Sequence, residues 1–168
     1  MTEIIQPGTP EQIDQVRDLM RAFVDWHRQR HLAHIALIDR YFDAAEFEQE
    51  LATLPGKYAP PKGRLLLAIH AGHAAGCVAL RDLGDGICEM KRMFVYTHLH
   101  GHGIGRALAD RVVAEARLAG HERMRLDTSV GQTEAIGLYK SAGFKPIAPY
   151  YRLPDDIKHW LVFMELKL

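Results

Sequence analysis

Three observations predict an α/β fold on a mixed, mostly antiparallel sheet. Several short β-patterned runs follow one another through residues 65–96 without intervening helical patterns. A hairpin signal, Leu83-Gly84-Asp85-Gly86, falls inside that region. Beyond it, two helical patterns flank a two-residue alternation at 124–130. The predicted order is β-α-α-β-β-β-α-β-α-β, with about four helices around one central sheet.

Ile4 and Ile5 form a first short strand, ended by Gln6-Pro7-Gly8. Thr9 suits an N-cap, Pro10 the first helical position and Gln12 the third, so a capping box opens a helix. Ile13, Val16, Met20, Phe23 and Val24 give that helix its apolar stripe to about residue 30. Asp43-Ala44-Ala45-Glu46 repeats the capping logic, with Phe47, Leu51 and Leu54 as the stripe and Pro55-Gly56 as the stop. Lys57 to Gly63 is a proline-rich loop. Leu65–His70 and Ala74–Leu80 read as strands joined around Gly72, and Ile87–Tyr96 as a third. Lys91 and Arg92 interrupt the alternation of this third strand on both faces, which predicts a bulge. A helix follows from about Gly103 to Ala119, with Ile104, Leu108, Val112 and Ala116 on one stripe and Gly120 after its end. Met124, Leu126, Thr128 and Val130 alternate with polar residues as a half-buried strand. A short helix over Thr133–Ala142 closes at Gly143, and His159–Lys167 is a last strand.

The 168 residues suit a single domain, 1–168. Acids and bases balance at 21 each, which argues against a general nucleic-acid binder. No window approaches about 18 uninterrupted apolar residues, so no membrane span is expected. With no secretory leader pattern and only Cys77 and Cys88, a reduced, cytoplasmic compartment is the expectation.

The stretch His98 to Ala107, H-L-H-G-H-G-I-G-R-A, places three glycines at the mouth of a helix after a strand. Helix N-termini offer unpaired N–H donors and a positive dipole end, so a phosphate is the natural ligand. A nucleotide-triphosphate loop fails here because no Lys-Ser/Thr pair follows. The dinucleotide fingerprint fails because Arg106 stands where its third glycine belongs. What fits is x-x-x-G-x-G, with His100, Gly103 and Gly105.

With this spacing the chain resembles the GNAT superfamily of acyl-CoA N-acyltransferases, whose signature is Q/R-x-x-G-x-G/A between the fourth strand and the third helix. The resemblance runs through C-E-M-K-R-M-F-V (88–95), G-H-G-I-G-R-A-L (101–108), L-D-T (126–128) and E-A-I-G-L-Y-K-S-A-G-F (134–144). His100 departs from it, standing where the family has Gln or Arg. The resemblance implies a GNAT-like sheet that splays between its fourth and fifth strands, and acetyl-CoA as cosubstrate without a metal. Backbone N–H groups of Gly101, His102, Gly103, Ile104, Gly105 and Arg106 would receive the pyrophosphate, with Arg106 adding a cation and His100 at the position of the family's side-chain contact. Met93, Phe94 and Val95 would pair with the pantetheine arm.

The family places a tyrosine at the L-Y-x-x-x-G-F position, here Tyr139, beside the cofactor sulfur as a general acid. Its three-residue spacing from Ile136 also suits mere core packing. Some members use a glutamate on the preceding strand as base, and Glu89 lies in that register relative to Val95. A strand glutamate paired with Lys91 or Arg92 is the competing reading, and a water chain the competing base. The implied activity is acetyl transfer to a primary amine of a small molecule or protein by direct attack. The oxyanion would be held by a strand N–H near Met93–Val95. Asp127 and Ser129 would line the acceptor side, and Tyr150-Tyr151 and the 57–63 loop are candidate pocket walls. A homodimer is compatible with the family. A non-catalytic acyl-CoA sensor is the alternative; it would keep the glycine loop without needing Tyr139 or Glu89. His27, His31 and His34 are spaced for one helix face, and His98, His100 and His102 alternate in the loop, but no carboxylate or cysteine completes a metal set.

Overall fold

The computed structural model describes residues 1–168. Its strands are β1 (Thr2–Ile5), β2 (Arg64–His70), β3 (His73–Gly84), β4 (Ile87–Val95), β5 (Arg123–Ser129), β6 (Lys145–Ile147) and β7 (Leu161–Lys167). They form one sheet in the order β1-β2-β3-β4-β5-β7-β6. The helices are α1 (Pro10–Arg30), α2 (Ile35–Tyr41), α3 (Ala44–Ala52), α4 (Ile104–Leu118), α5 (Thr133–Ser141) and α6 (Asp155–Trp160). None is long and apolar enough to cross a membrane.

Local chemistry sets the boundaries. Thr9 accepts from the Gln12 N–H while the Gln12 side chain returns to the Thr9 N–H, so the capping box forms as expected. The Asp43 side chain caps α3 through the Glu46 N–H. The helix count of about four is corrected to six, because α2 and α6 carry no side-chain N-cap and span only 7 and 6 residues. The last strand therefore starts at Leu161 rather than His159, and the three-residue β6 lies beside it. The 57–63 loop opens with a 3₁₀ turn, Gly56–Tyr58. Val130 lies past the end of β5 and is exposed, whereas Ser129 is buried.

Both faces of the sheet are covered. Leu65, Leu67, Cys77, Ala79 and Phe94 join a core with residues of α1, α2, α3 and α6. Leu66, Val78, Leu80, Cys88 and Met124 join the opposite core with α4 and α5. Cys77 and Cys88 are free thiols in these two cores, and burial pushes both thiols up to about 12.

Two irregularities shape the centre of the sheet. The pairing of β3 with β4 moves from Cys77↔Phe94 to Ala79↔Lys91, so β4 carries one extra residue there, and Arg92 has φ +57°. This is the bulge that the interrupted alternation predicts. The only parallel pair, β4 with β5, runs through Ile87↔Arg123, Cys88↔Met124 and Glu89↔Arg125 and goes no further. Beyond Glu89 the two strands part, while β5 continues on β7 to Ser129.

His27 sits at the C-terminal end of α1 against the rings of Phe23, Trp26 and Phe42, 2 % exposed. Burial, then the charges of His31 and Arg30, lowers its pKa from 6.5 to about 4. A folded pKa below the unfolded one means that the neutral ring stabilises the fold fully above about pH 6.5. That contribution is lost as pH falls toward 4 and amounts to about 3 kcal/mol. His27→Leu should flatten the fall in unfolding free energy between those two pH values. An unchanged slope in denaturant titrations would remove His27 as its source.

Candidate active site

The parting of β4 from β5 opens a groove between the C-terminal end of β4 and the N-terminus of α4. A cavity of about 450 Å³ runs along it, lined by Met93, Phe94 and Val95 and by the loop that follows. Gly101 (φ +87°) and Gly103 (φ +76°) adopt left-handed backbone, and a Cβ at either would meet no protein atom. Their open sides leave room for a ligand beside the backbone. The first backbone bond into α4 is Ala107 N–H to Gly103 C=O, so the N–H groups of Ile104, Gly105 and Arg106 precede it. At Gly105 an added Cβ would meet Leu138 and Val95, which also line the groove, at ordinary contact distance.

Two side chains of the loop are already engaged. His100 donates from Nε2 to the Val95 carbonyl at 3.0 Å, tying the loop to the last residue of β4. Arg106 is bound by Asp110 at 2.9 Å and donates to Ser141, so its charge toward the groove is partly offset. The His102 ring lies outside the groove lining, exposed, with Nδ1 donating to the Leu99 carbonyl.

From the groove, past Met93 and Gln132, a neck of about 50 Å³ leads into the splay. Tyr139 of α5 reaches it, 6 % exposed and packed on Phe144. Burial, and after it the charge of Asp127, pushes its phenol well above the ordinary range. It therefore stays protonated and able to donate at neutral pH. Ser129 lines the same neck, and its Oγ is buried with no hydrogen-bond partner. Asp127 lies opposite, accepting from the Tyr41 and Tyr151 hydroxyls.

Glu89 occupies a different place. Its carboxylate is fully buried, held by Arg81 Nε at 2.8 Å and the Tyr150 hydroxyl at 2.5 Å, with Lys91 at 3.7 Å. It is thus neither at the surface nor on the neck, and Tyr150 stands between it and a further cavity of about 550 Å³. Burial, then the charge of Glu89, raises the Tyr150 phenol well above its ordinary pKa; burial and Asp127 do the same to Tyr151. Lys91 donates to the Tyr41 hydroxyl at 3.0 Å and lies 3.8 Å from Asp127, joining both acids in one network across the splay.

The structure thus gathers Met93, Phe94, Val95, His100, Gly101, Gly103, Ile104, Gly105 and Arg106 around one groove and brings Tyr139 to the neck at its end. Sequence reasoning missed Tyr41, Arg81 and Arg125. Tyr41 lies on a helix with no capping signal, Arg81 falls just past the strand expected to end at Leu80, and Arg125 reads as an ordinary polar residue of an alternating strand. The three helical histidines do not share one face, because α1 ends at Arg30 and His34 belongs to a 3₁₀ turn.

Residues 26–144 match the family model described as acetyltransferase (GNAT) family. An uncharacterized N-acetyltransferase of Schizosaccharomyces pombe is 40% identical over 123 residues, covering 72% of this chain and 74% of that protein. Among solved structures, an acetyltransferase from Streptococcus agalactiae superposes with a TM-score of 0.75 at 22% identity, over 99% of this chain and 98% of its own. The PaiA N-acetyltransferase of Thermoplasma acidophilum, solved in complex with coenzyme A, gives 0.72 at 15% identity over 100% and 99%. At those identities the two structures speak for the fold, while the family match and the yeast relative speak for the chain: it belongs to the GNAT family of acetyltransferases.

Proposed function

We propose that the chain transfers acetyl from acetyl-CoA to a primary amine by direct attack within a ternary complex. The observation that carries this is that the glycine-loop groove shares Met93 and Gln132 with the neck at Tyr139, and the neck shares Tyr41, Lys91 and Arg92 with the cavity on its other side. The N–H groups of Gly101, Gly103, Ile104, Gly105 and Arg106 fit the pyrophosphate, while that of His102 is spent on the Leu99 carbonyl, and the unpaired edge of β4 after Glu89 fits the pantetheine amides. Acetyl-CoA bound there supplies the activated carbonyl. The amine nitrogen forms the C–N bond as the C–S bond breaks, and a strand N–H near Met93–Val95 holds the carbonyl oxygen. Tyr139 gives its proton to the leaving sulfur. Glu89 takes the amine proton through a water chain.

Thiol release from acetyl-CoA, followed with a panel of amines, tests the reading. Acceleration by an amine, with intersecting double-reciprocal lines, is expected. Parallel lines would indicate an acyl-enzyme, and tight CoA binding without acceleration by any amine would favour a sensor.

Gly103→Val probes the loop. A β-branched side chain at φ +76° strains the backbone by about 1–2 kcal/mol and fills the space beside the N–H donors. CoA affinity, measured by calorimetry, should fall about ten-fold or more. Unchanged affinity would place the pyrophosphate elsewhere.

A further inference from the structure

The cavity beyond the neck has an unequal lining. Arg40, Lys57, Arg81, Lys91, Arg92 and Arg125 all contribute to its wall, against one carboxylate, Asp85. The carboxylates that pair with Arg81, Lys91 and Arg92 are withdrawn from that wall, with Glu89 0% exposed, Glu50 9% and Asp127 3%, whereas Glu165 beside Arg125 is 21% exposed and Asp156 beside Arg40 is open to solvent. Arg81 and Arg125 are each anchored through Nε, to Glu89 and Glu165, at 2.8 Å. That leaves their terminal amino groups for another acceptor, and Tyr150, under the Arg125 guanidinium at 5.2 Å, keeps this cation in place. The cavity lies at the last paired step of β4 and β5, Glu89↔Arg125, reaches Lys91 where the strands have parted, and shares Tyr41, Lys91 and Arg92 with the neck. A neighbouring cavity of about 340 Å³ carries Asp43, Glu46 and Glu50, but it is built from residues 41–58 and Arg92 and does not reach β5.

The geometry points to an acceptor that carries a carboxylate: an amino acid or related acidic amine, its amine in the neck and its carboxylate between Arg81 and Arg125. This rests on the acetyl-transfer reading and narrows it to a substrate class. A guanidinium can grip a carboxylate through two parallel N–H bonds, whereas a neutral amide offers a single weaker acceptor.

The test separates the anion site from the transfer chemistry. Calorimetry on the CoA-saturated protein should show saturable binding of succinate, weakened by salt, and none of its neutral counterpart succinamide. Arg125→Gln should weaken succinate about ten-fold or more while CoA affinity is kept. The chain should tolerate that change, because Glu165 retains Arg123 at 4.0 Å. Arg40→Gln, in an exposed pair with Asp156, is a second variant that should also weaken succinate. In turnover, L-aspartate should exceed its diamide in kcat/KM by about ten-fold or more. Failure of succinate to bind, or equal use of acid and diamide, overturns the inference and leaves acetyl transfer standing. Succinate binding without acceleration of thiol release by any amine upholds the anion site and sinks the transfer reading instead.

Discussion

Tyr139→Phe should lower kcat by about a hundred-fold or more, with KM for acetyl-CoA nearly unchanged. The change removes one oxygen from a ring that is 6 % exposed and packed on Phe144, so the melting temperature should hardly move. A stable protein with a large kcat loss would therefore report chemistry rather than unfolding. A hundred-fold loss is about 2.7 kcal/mol of transition-state stabilisation, within the range of one positioned acid. The pH dependence has a definite sign. The acid works only while protonated, and burial with the Asp127 charge raises its pKa. Wild-type kcat should thus show no alkaline fall from Tyr139 below about pH 10, the ordinary phenol value. If Tyr139→Phe turns over as fast as wild type near neutral pH, the sulfur leaves without this proton, and Tyr139 is a core residue.

The parts of the fold that could be read from the sequence are those with a local physical signature. Thr9 and Gln12 cap each other within four residues, Asp43 caps α3, and Gly103 and Gly120 bracket α4 with positive φ, so these helices announce themselves. The bulge at Arg92 was readable because two adjacent long cations broke the strand alternation. The helices α2 and α6 have neither caps nor length, and they exist because Ile38, Ile157 and Trp160 are buried against α1 and the sheet. Glu89 was harder still. Its neighbours Cys88 and Met90 are buried on one face, which in a half-exposed sheet would turn Glu89 outward. This sheet is covered on both faces, so Glu89 is buried too, and its partners Arg81 and Tyr150 come from elements that only the tertiary fold brings near. The groove was legible for the opposite reason: its donors are backbone N–H groups, placed by glycines that the sequence displays.

Arg92→Leu should cost about 3–5 kcal/mol and lower the melting temperature by about 10 °C. Arg92 grips Glu50 through two bonds, at 2.8 and 3.1 Å, and lies over the rings of Phe42 and Phe47 at 5.0 and 5.5 Å. Burial alone would raise the Glu50 carboxyl, but the hydrogen bonds and charge of Arg92, then those of Lys57, hold it at about 2. Removing Arg92 strands that carboxylate in a buried position with Lys57 as its remaining partner, and this is the expensive part of the change. In wild type the pair stabilises fully above about pH 4.5 and is lost as pH falls toward 2. In the variant, a Glu50 deprived of Arg92 takes up its proton at higher pH, so the stability gap to wild type should narrow as pH drops to about 4. Adding Glu50→Gln should recover part of the loss for the same reason. Function should not follow stability. The guanidinium clamps the φ +57° residue that sets the bulge, and the bulge aims Met93–Val95 at the groove. Both Arg92→Leu and the double variant should therefore keep a raised KM for acetyl-CoA. A double variant with regained stability and a normal KM would mean that the backbone of β4 holds its bulge without the clamp.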